Sequence, residues 1–311
     1  GTLDVSTAAL TSNGIVNPGT VGTAGSLAIT SGVTLGALST LNIDIGGLTA
    51  GSQFDQLNIS GALASDGLIN ISTINGFTVS AGDTFQIATF GSVSGEIALS
   101  GLSLGGGVVL QAGFNANDLT LTAVTAGQVG TAGSETLNGT GSDDVIAGLN
   151  GADTLVGNGG EDQLFGGGGD DVITGGSGND VIEGGSGNDT ITGGDGANTI
   201  VGNGGADVIT GGADADWVFA GFGDDTIDGA AGQDTLLGGA GNDSITGGGG
   251  ADILSGGADD DTFVYTSISD AAVGAGETIL DFEETNVEEH IALDGLLSGT
   301  LTFLGAETNA F

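Results

Sequence analysis

The chain has 311 residues, of which 40 are acidic and none is Lys or Arg, for a formal net charge of −40; it carries 67 Gly, one Pro, and no Cys or Met. Without cations to neutralise phosphates or meet anionic headgroups, binding to nucleic acid or acidic membrane surfaces is excluded, and disulfides and thiol catalysis fall with the missing Cys. High net charge often means disorder, yet hydrophobic residues make up 38% of the chain, so a core can form once something neutralises the acids.

No apolar run is long enough for a transmembrane helix. Gly1 opens the chain without a charged n-region, so any export signal is expected to have been removed or never to have existed. Residues 1–129 contain few acids and are predicted to form a β-rich solenoid or sandwich. Apolar residues alternate in Leu41-Asn42-Ile43-Asp44-Ile45, Asp55-Gln56-Leu57-Asn58-Ile59, Leu68-Ile69-Asn70-Ile71, Thr84-Phe85-Gln86-Ile87 and Leu119-Thr120-Leu121-Thr122, which puts one face of each strand inward. Ile45-Gly46-Gly47 and Ser80-Ala81-Gly82-Asp83 supply turns. Through Gly25-Ser26-Leu27, Gly51-Ser52-Gln53-Phe54-Asp55-Gln56-Leu57-Asn58-Ile59-Ser60-Gly61 and Ala81-Gly82-Asp83-Thr84-Phe85, residues 15–124 resemble the carboxy-terminal part of β-helical passenger segments of bacterial autotransporters and related surface proteins. The resemblance implies a β-solenoid ending in a sandwich-like cap; a free-standing sandwich is the alternative.

Residues 130–264 are an uninterrupted nonapeptide array, as in Gly175-Gly176-Ser177-Gly178-Asn179-Asp180-Val181-Ile182-Glu183. The sixth position reads Glu135, Asp144, Asp153, Asp162, Asp171, Asp180, Asp189, Asn198, Asp207, Asp216, Asp225, Asp234, Asp243, Asp252 and Asp261, fifteen units in phase. The eighth position is always apolar, from Leu137 to Phe263. This pattern, G-G-x-G-x-D-x-U-x, resembles the calcium-binding β-roll repeat of the RTX proteins. In residues 265–311, a small β cap is expected: Thr262-Phe263-Val264-Tyr265, Glu277-Thr278-Ile279-Leu280-Asp281-Phe282 and His290-Ile291-Ala292-Leu293 are similar to the cap that follows the array in serralysin-type secreted proteins. The chain stops soon after Phe303-Leu304-Gly305-Ala306, so the cap is expected to be incomplete and the chain to continue. The expected fold is therefore all-β throughout: solenoid or sandwich, parallel β-roll, cap.

Each unit divides into a six-residue turn and a three-residue strand with one side chain inward. Two units make one coil, with strands on opposite walls, and stacked coils give parallel ladders about 4.8 Å apart. Stacking places Asp162 over Asp180 and Asp171 over Asp189, eighteen residues apart. Two such carboxylates about 5 Å apart repel by roughly 0.8 kcal/mol even in water, so the metal-free array is expected to be unfolded or loosely collapsed. Calcium accepts six to eight oxygens in flexible geometry, and two Asp carboxylates plus turn carbonyls supply such a shell; magnesium holds its water too tightly. A zinc site prefers nitrogen and sulfur. The metal ligands expected are Asp144, Asp153, Asp162, Asp171, Asp180, Asp189, Asp207, Asp216, Asp225, Asp234, Asp243, Asp252 and Asp261, holding up to about 13 calcium ions by the stacking rule. Uncharged Asn198 at the sixth position, Asp214 and Asp259 at the fourth, and Ala220 at the first are expected to weaken individual sites, and Glu135 to belong to a capping coil.

Asp also suits turns by bonding its own backbone, but that does not account for Asp at one fixed position in a chain without Lys or Arg. His290 reads as a surface or partly packed residue. Trp217, at an outward seventh position, is either a contact point or locally packed with Val218 and Phe219, the latter favoured. Gly166-Gly167-Gly168-Gly169 lacks the Lys of a phosphate loop, and neither H-E-x-x-H nor a G-x-S-x-G elbow with a partner His occurs, so no enzyme activity is expected. The leading functional expectation is a calcium-binding structural protein of the bacterial cell surface: an S-layer, filament or adhesin component that self-associates or meets a surface partner, with no membrane insertion. The alternatives are the non-catalytic calcium-binding or secretion module of a secreted enzyme, or an ice-binding adhesin segment. Ice binding is disfavoured because the turn residues vary too much to form a Thr row.

Overall fold

A computed structural model describes residues 2–3, 10–12, 15–19, 22–36, 39–65, 67–94, 98–104, 107–114, 117–266, 277–281 and 290–293. All regular elements among them are strands; no helix long and apolar enough to cross a membrane occurs.

The amino-terminal region is a three-sided parallel solenoid. Ser26–Ile29, Val33–Leu35 and Thr40–Ile45 form one coil, and Gln56–Ile59, Ala62–Ser65 and Leu68–Thr73 form the next. Thr84–Thr89, Ser92–Ser94 and Ala98–Ser100 form the coil after that, and Thr2–Leu3, Leu10–Ser12 and Ile15–Val16 pair ahead of the first. Parallel pairing sets Ile29 beside Ile59 and Leu41 beside Ile69, which in turn meets Leu99, so like residues stack inward in rows. Asparagines form a second ladder: Asn70 donates to Asn42 (3.1 Å), Asn42 to Asn17 (2.9 Å), and Ser100 to Asn70 (3.0 Å). Buried Asp55 accepts the N–H groups of Gly25 (2.5 Å) and Asp44 (3.1 Å) and staples one coil to the other. The parallel stack ends at Thr84–Thr89, which pairs antiparallel with Asp118–Thr125, and that strand pairs antiparallel with Val108–Phe114.

Residues 128–265 form the second solenoid. Two nine-stranded parallel sheets face each other, and successive strands alternate between them. Within residues 128–265 the register is eighteen residues, for example Ile146 with Leu164 and Ile173 with Ile191. The eighth-position side chains, including Ile146, Leu155, Leu164, Ile182, Ile200, Val218 and Phe263, form one buried row between the walls. Most strands span six residues, as in Val181–Ser186, instead of the expected three. The reason lies in the stacking: coils pair through their turns too, so Gly185 aligns with Gly167 and the N–H of Gly187 donates to the Gly204 carbonyl (2.8 Å). Thr278–Ile279 and His290–Leu293 then extend the two walls as parallel ninth strands, with His290 exposed. The cap residues expected at 267–276, 282–289 and 294–311, including Phe303-Leu304-Gly305-Ala306, lie outside the described residues.

The two walls differ on their outer faces. The wall starting at Gln128–Val129 directs Ala147, Phe165, Val201, Trp217 and Leu237 outward, and all are buried. What buries them is the first solenoid. Ala147 and Phe165 join its core with Leu99 and Leu102, while Leu68 packs into a cluster with Val201, Trp217 and Leu237. Trp217 does stack locally on Phe219 (centroids 6.5 Å apart), as expected, but it also contacts the other solenoid. The opposite wall carries Thr154, Thr174, Thr190, Thr192, Thr210, Thr226 and Thr246 with Val172 and Val208, and none of these is buried.

Candidate metal centre

The turns close on glycines with left-handed backbone. Gly176 (φ 124) and Gly178 (φ 118) sit so close to the coil before them that a Cβ would strike the carbonyls of Asn158 and Gly160. Where another residue takes such a position, the conformation persists: Asp214 (φ 70), Ala230 (φ 68) and Asp259 (φ 81) all stay left-handed, a strained state for an L residue.

These turns aim the sixth-position side chain along the stack. Oδ1 of Asp180 accepts the N–H of Asp162 (2.8 Å). Asp153, Asp162, Asp171, Asp189, Asp207, Asp216, Asp225, Asp234, Asp243, Asp252 and Asp261 make the same bond, each to the backbone eighteen residues earlier, at 2.7–3.0 Å. Asn198 keeps the bond through its carboxamide oxygen (3.0 Å). Asp144 stands apart: it is less buried, and Thr140 donates to its Oδ2 through N–H (2.6 Å) and Oγ1 (2.9 Å). Glu135 is held in the same way by Thr131, so both belong to the first, capping coil.

The second oxygen of each carboxylate has a different environment. Oδ2 of Asp153, Asp162, Asp171, Asp180, Asp189, Asp207, Asp225, Asp234, Asp243 and Asp261 is buried and receives no hydrogen bond. It lies over the first-position Gly of its own turn. A Cβ on Gly229 would stand 2.6 Å from Oδ2 of Asp234 and 2.6 Å from the carbonyl oxygen of Gly247, one coil on. At Gly148 the corresponding distances are 2.5 Å to Asp153 and 2.6 Å to the Gly166 carbonyl. A carboxylate oxygen and a carbonyl oxygen thus converge where no donor reaches them. Leaving a buried acceptor unsatisfied costs about 1–3 kcal/mol, more when it is charged, and the cost recurs in each of these turns.

Burial accordingly pushes Asp171, Asp180 and Asp261 up to about 6, and Asp189, Asp225, Asp234 and Asp243 up to about 7. The backbone N–H bonded to each pulls it back, and neighbouring carboxylates raise it further. Asp153, Asp162 and Asp207 are raised as well, again chiefly by burial. Such a row is unfavourable when ionised and favourable with a cation. Among the described residues no three His, Cys, Asp or Glu side chains converge, so the shell would be completed by turn carbonyls. An all-oxygen set of this kind suits calcium.

A second ladder went unread in the sequence. At the fifth position, Asp143, Asp170, Asn179, Asn188 and Asp224 accept from the backbone N–H eighteen residues later, at 2.8–2.9 Å. The Asp/Asn bias beside the sixth-position acid was its signal. Fifth and sixth positions therefore bond along the stack in opposite directions.

Stacked coils, alternating walls and a carboxylate in every turn but that of Asn198 define a metal-binding parallel β-roll. Residues 129–164, 156–191, 165–200, 192–227 and 228–263 match the family model of the RTX calcium-binding nonapeptide repeat (4 copies). Residues 129–263 are thus an array of RTX-type calcium-binding nonapeptide repeats folded as a parallel β-roll. Such repeats are typical of secreted and extracellular proteins. A comparison with curated proteins gives no match.

Proposed function

We propose that this chain is a structural component of a bacterial cell surface, part of a surface layer, filament or adhesin, whose array folds when calcium reaches it outside the cell. The observation that carries the reading is the buried row of Oδ2 atoms facing first-position Gly carbonyls without a donor. Calcium supplies the positive charge and the oxygen coordination that this row lacks. The residues do the rest: the Oδ1 bonds hold each carboxylate in place, the glycines let carbonyls approach, and the eighth-position row closes the core. The mechanical role is supported by a second solenoid packed against one wall, which makes a doubled rod of β-coils. The expected ligands are the sixth-position Asp residues, with up to about 13 ions on the stacking count. The chain would pass through a narrow export channel unfolded, because cytosolic calcium is scarce. Calcium titration followed by circular dichroism and electron microscopy tests this reading. A β transition with calcium and none with magnesium, with filaments or lattices at higher calcium, is the expected result; monomers at every concentration would favour the module of a secreted enzyme.

One observation favours ice binding as a second reading. A flat row of alternating Thr and Val lies on the open wall, where the seventh-position residues Thr154, Val172, Thr190, Val208 and Thr226 align in register. Asp228 interrupts the companion row, whose neighbouring member is Thr210. Inhibition of ice recrystallisation that is lost on changing Thr190 and Thr192 to Tyr would establish it; no inhibition would remove it.

A further inference from the structure

We propose that the calcium-loaded array is the platform on which the amino-terminal solenoid docks, with Glu183 as the positioning residue, so that calcium orders the contact between the two solenoids and docking in turn tightens calcium binding. The inference rests on the reading that calcium folds the array.

The covered wall presents Phe165, Glu183, Val201, Phe219 and Leu237 in one outward row, neighbours in space and eighteen residues apart in sequence. Nothing but the parallel ladder brings them together. In an unfolded array this row does not exist, and Leu68 has no cluster to enter. A partner that recognises the row therefore recognises the stacked state alone, and a ligand of one state shifts the population toward it.

Glu183 gives the docking its register. It is the one acid among the outward seventh- and ninth-position residues of this wall between Val145 and Ser255, and it is 5% exposed. Its Oε1 accepts the N–H of Leu102 (3.1 Å), and the backbone of Gly101 and Ser103 also bonds to the carboxylate. A carboxylate buried without a cation is tolerated where backbone donors meet it. Sliding the first solenoid by one coil would bury Glu183 against a side chain instead of these donors and leave Leu102 N–H unpaired. Trp217, two coils further on, lies in the same contact through Leu68 and is the only Trp in the chain.

The two effects are reciprocal. If calcium creates the wall that docks the first solenoid, docking must raise calcium affinity by the same coupling. The test titrates the metal-free full chain with calcium and reads far-UV circular dichroism, acrylamide quenching of Trp217, and amide exchange at residues 101–103. For the natural chain all three are expected to change together, with quenching falling by roughly fivefold and exchange slowing by about tenfold or more. Leu68→Asp is expected to keep the far-UV transition but leave Trp217 open to acrylamide. Glu183→Gln, nearly isosteric, is expected to release the amides at 101–103. Both should move the calcium midpoint upward by roughly threefold or more. A far-UV transition with Trp217 and residues 101–103 already protected before calcium overturns the gating. Unshifted midpoints in both variants, once Trp217 or the amides are released, overturn the reciprocity. Absence of any far-UV response to calcium removes this inference together with the reading beneath it.

Discussion

Acid should replace calcium in folding the array. Seven carboxyls move from an ordinary value of 3.8 to about 6 (Asp171, Asp180, Asp261) or about 7 (Asp189, Asp225, Asp234, Asp243). A carboxyl whose value is higher folded than unfolded favours the fold while protonated. That contribution is complete below the unfolded value and lost as pH rises through the folded one. Going from about pH 7.5 to about pH 5 should then return about 2 kcal/mol per group, using about 1.4 kcal/mol for each tenfold change. Neighbours in the ladder do not ionise independently, so we halve the sum for seven groups to about 7 kcal/mol. That is comparable with the whole stability of a typical domain, about 5–15 kcal/mol. The assay uses protein stripped of calcium by chelator, then exchanged into each buffer at low concentration; about pH 5 stays clear of the sequence pI of 4.1. Far-UV circular dichroism should show little β signal at the higher pH and a cooperative, denaturant-sensitive β signal at the lower. Equal signals at both pH values would refute the view that buried ionised Oδ2 atoms keep the metal-free stack apart.

Substituting Asp243→Ala, whose ladder neighbours Asp225 and Asp261 are both charged, should cost more calcium affinity by titration calorimetry than Asp180→Ala, which already borders Asn198; equal losses would argue against pairing at eighteen residues. Ala230→Gly relieves a left-handed Ala and should raise the melting temperature of the loaded protein, by up to about 1 kcal/mol of stability. Gly185→Ala, at φ 121, should lower it by about 1–3 kcal/mol. In any assembly, chelator should dissolve contacts between molecules before it abolishes the β signal, since subunits left near −14 after about 13 ions repel unless bridged or screened; assemblies outlasting the β signal would exclude calcium bridges.

The array was legible because its period is strict and one position in nine must be apolar. Ile173, Ile182 and Ile191 announce an inward row, and the acids beside them fix the eighteen-residue stack. Strand length was not legible: Gly184 and Gly185 have no side chain to reveal that their backbone belongs to the ladder. The first solenoid's three-sided path was hidden because its coils are joined by pairings such as Val33 with Leu63, roughly thirty residues apart and without a motif. The seventh position points Trp217 out of the roll, but Leu68, which covers it, lies far upstream. A comparison of alternate units would have exposed the covered wall: ninth positions read Phe165, Val201, Phe219 and Leu237 in one set, and Thr174, Thr192, Thr210 and Thr246 in the other.

That difference between alternate units sets the size of the step by which such a gene can grow or shrink. Losing residues 184–192, a single motif, would leave every turn intact yet send each later strand to the opposite wall. Trp217 and Phe219 would then face water, and Val208 and Thr210 would meet Leu68. Losing two consecutive motifs would shorten the rod and preserve its sides. The motif a reader counts is nine residues long, but the unit that can be duplicated or deleted without turning the protein inside out along one flank is eighteen.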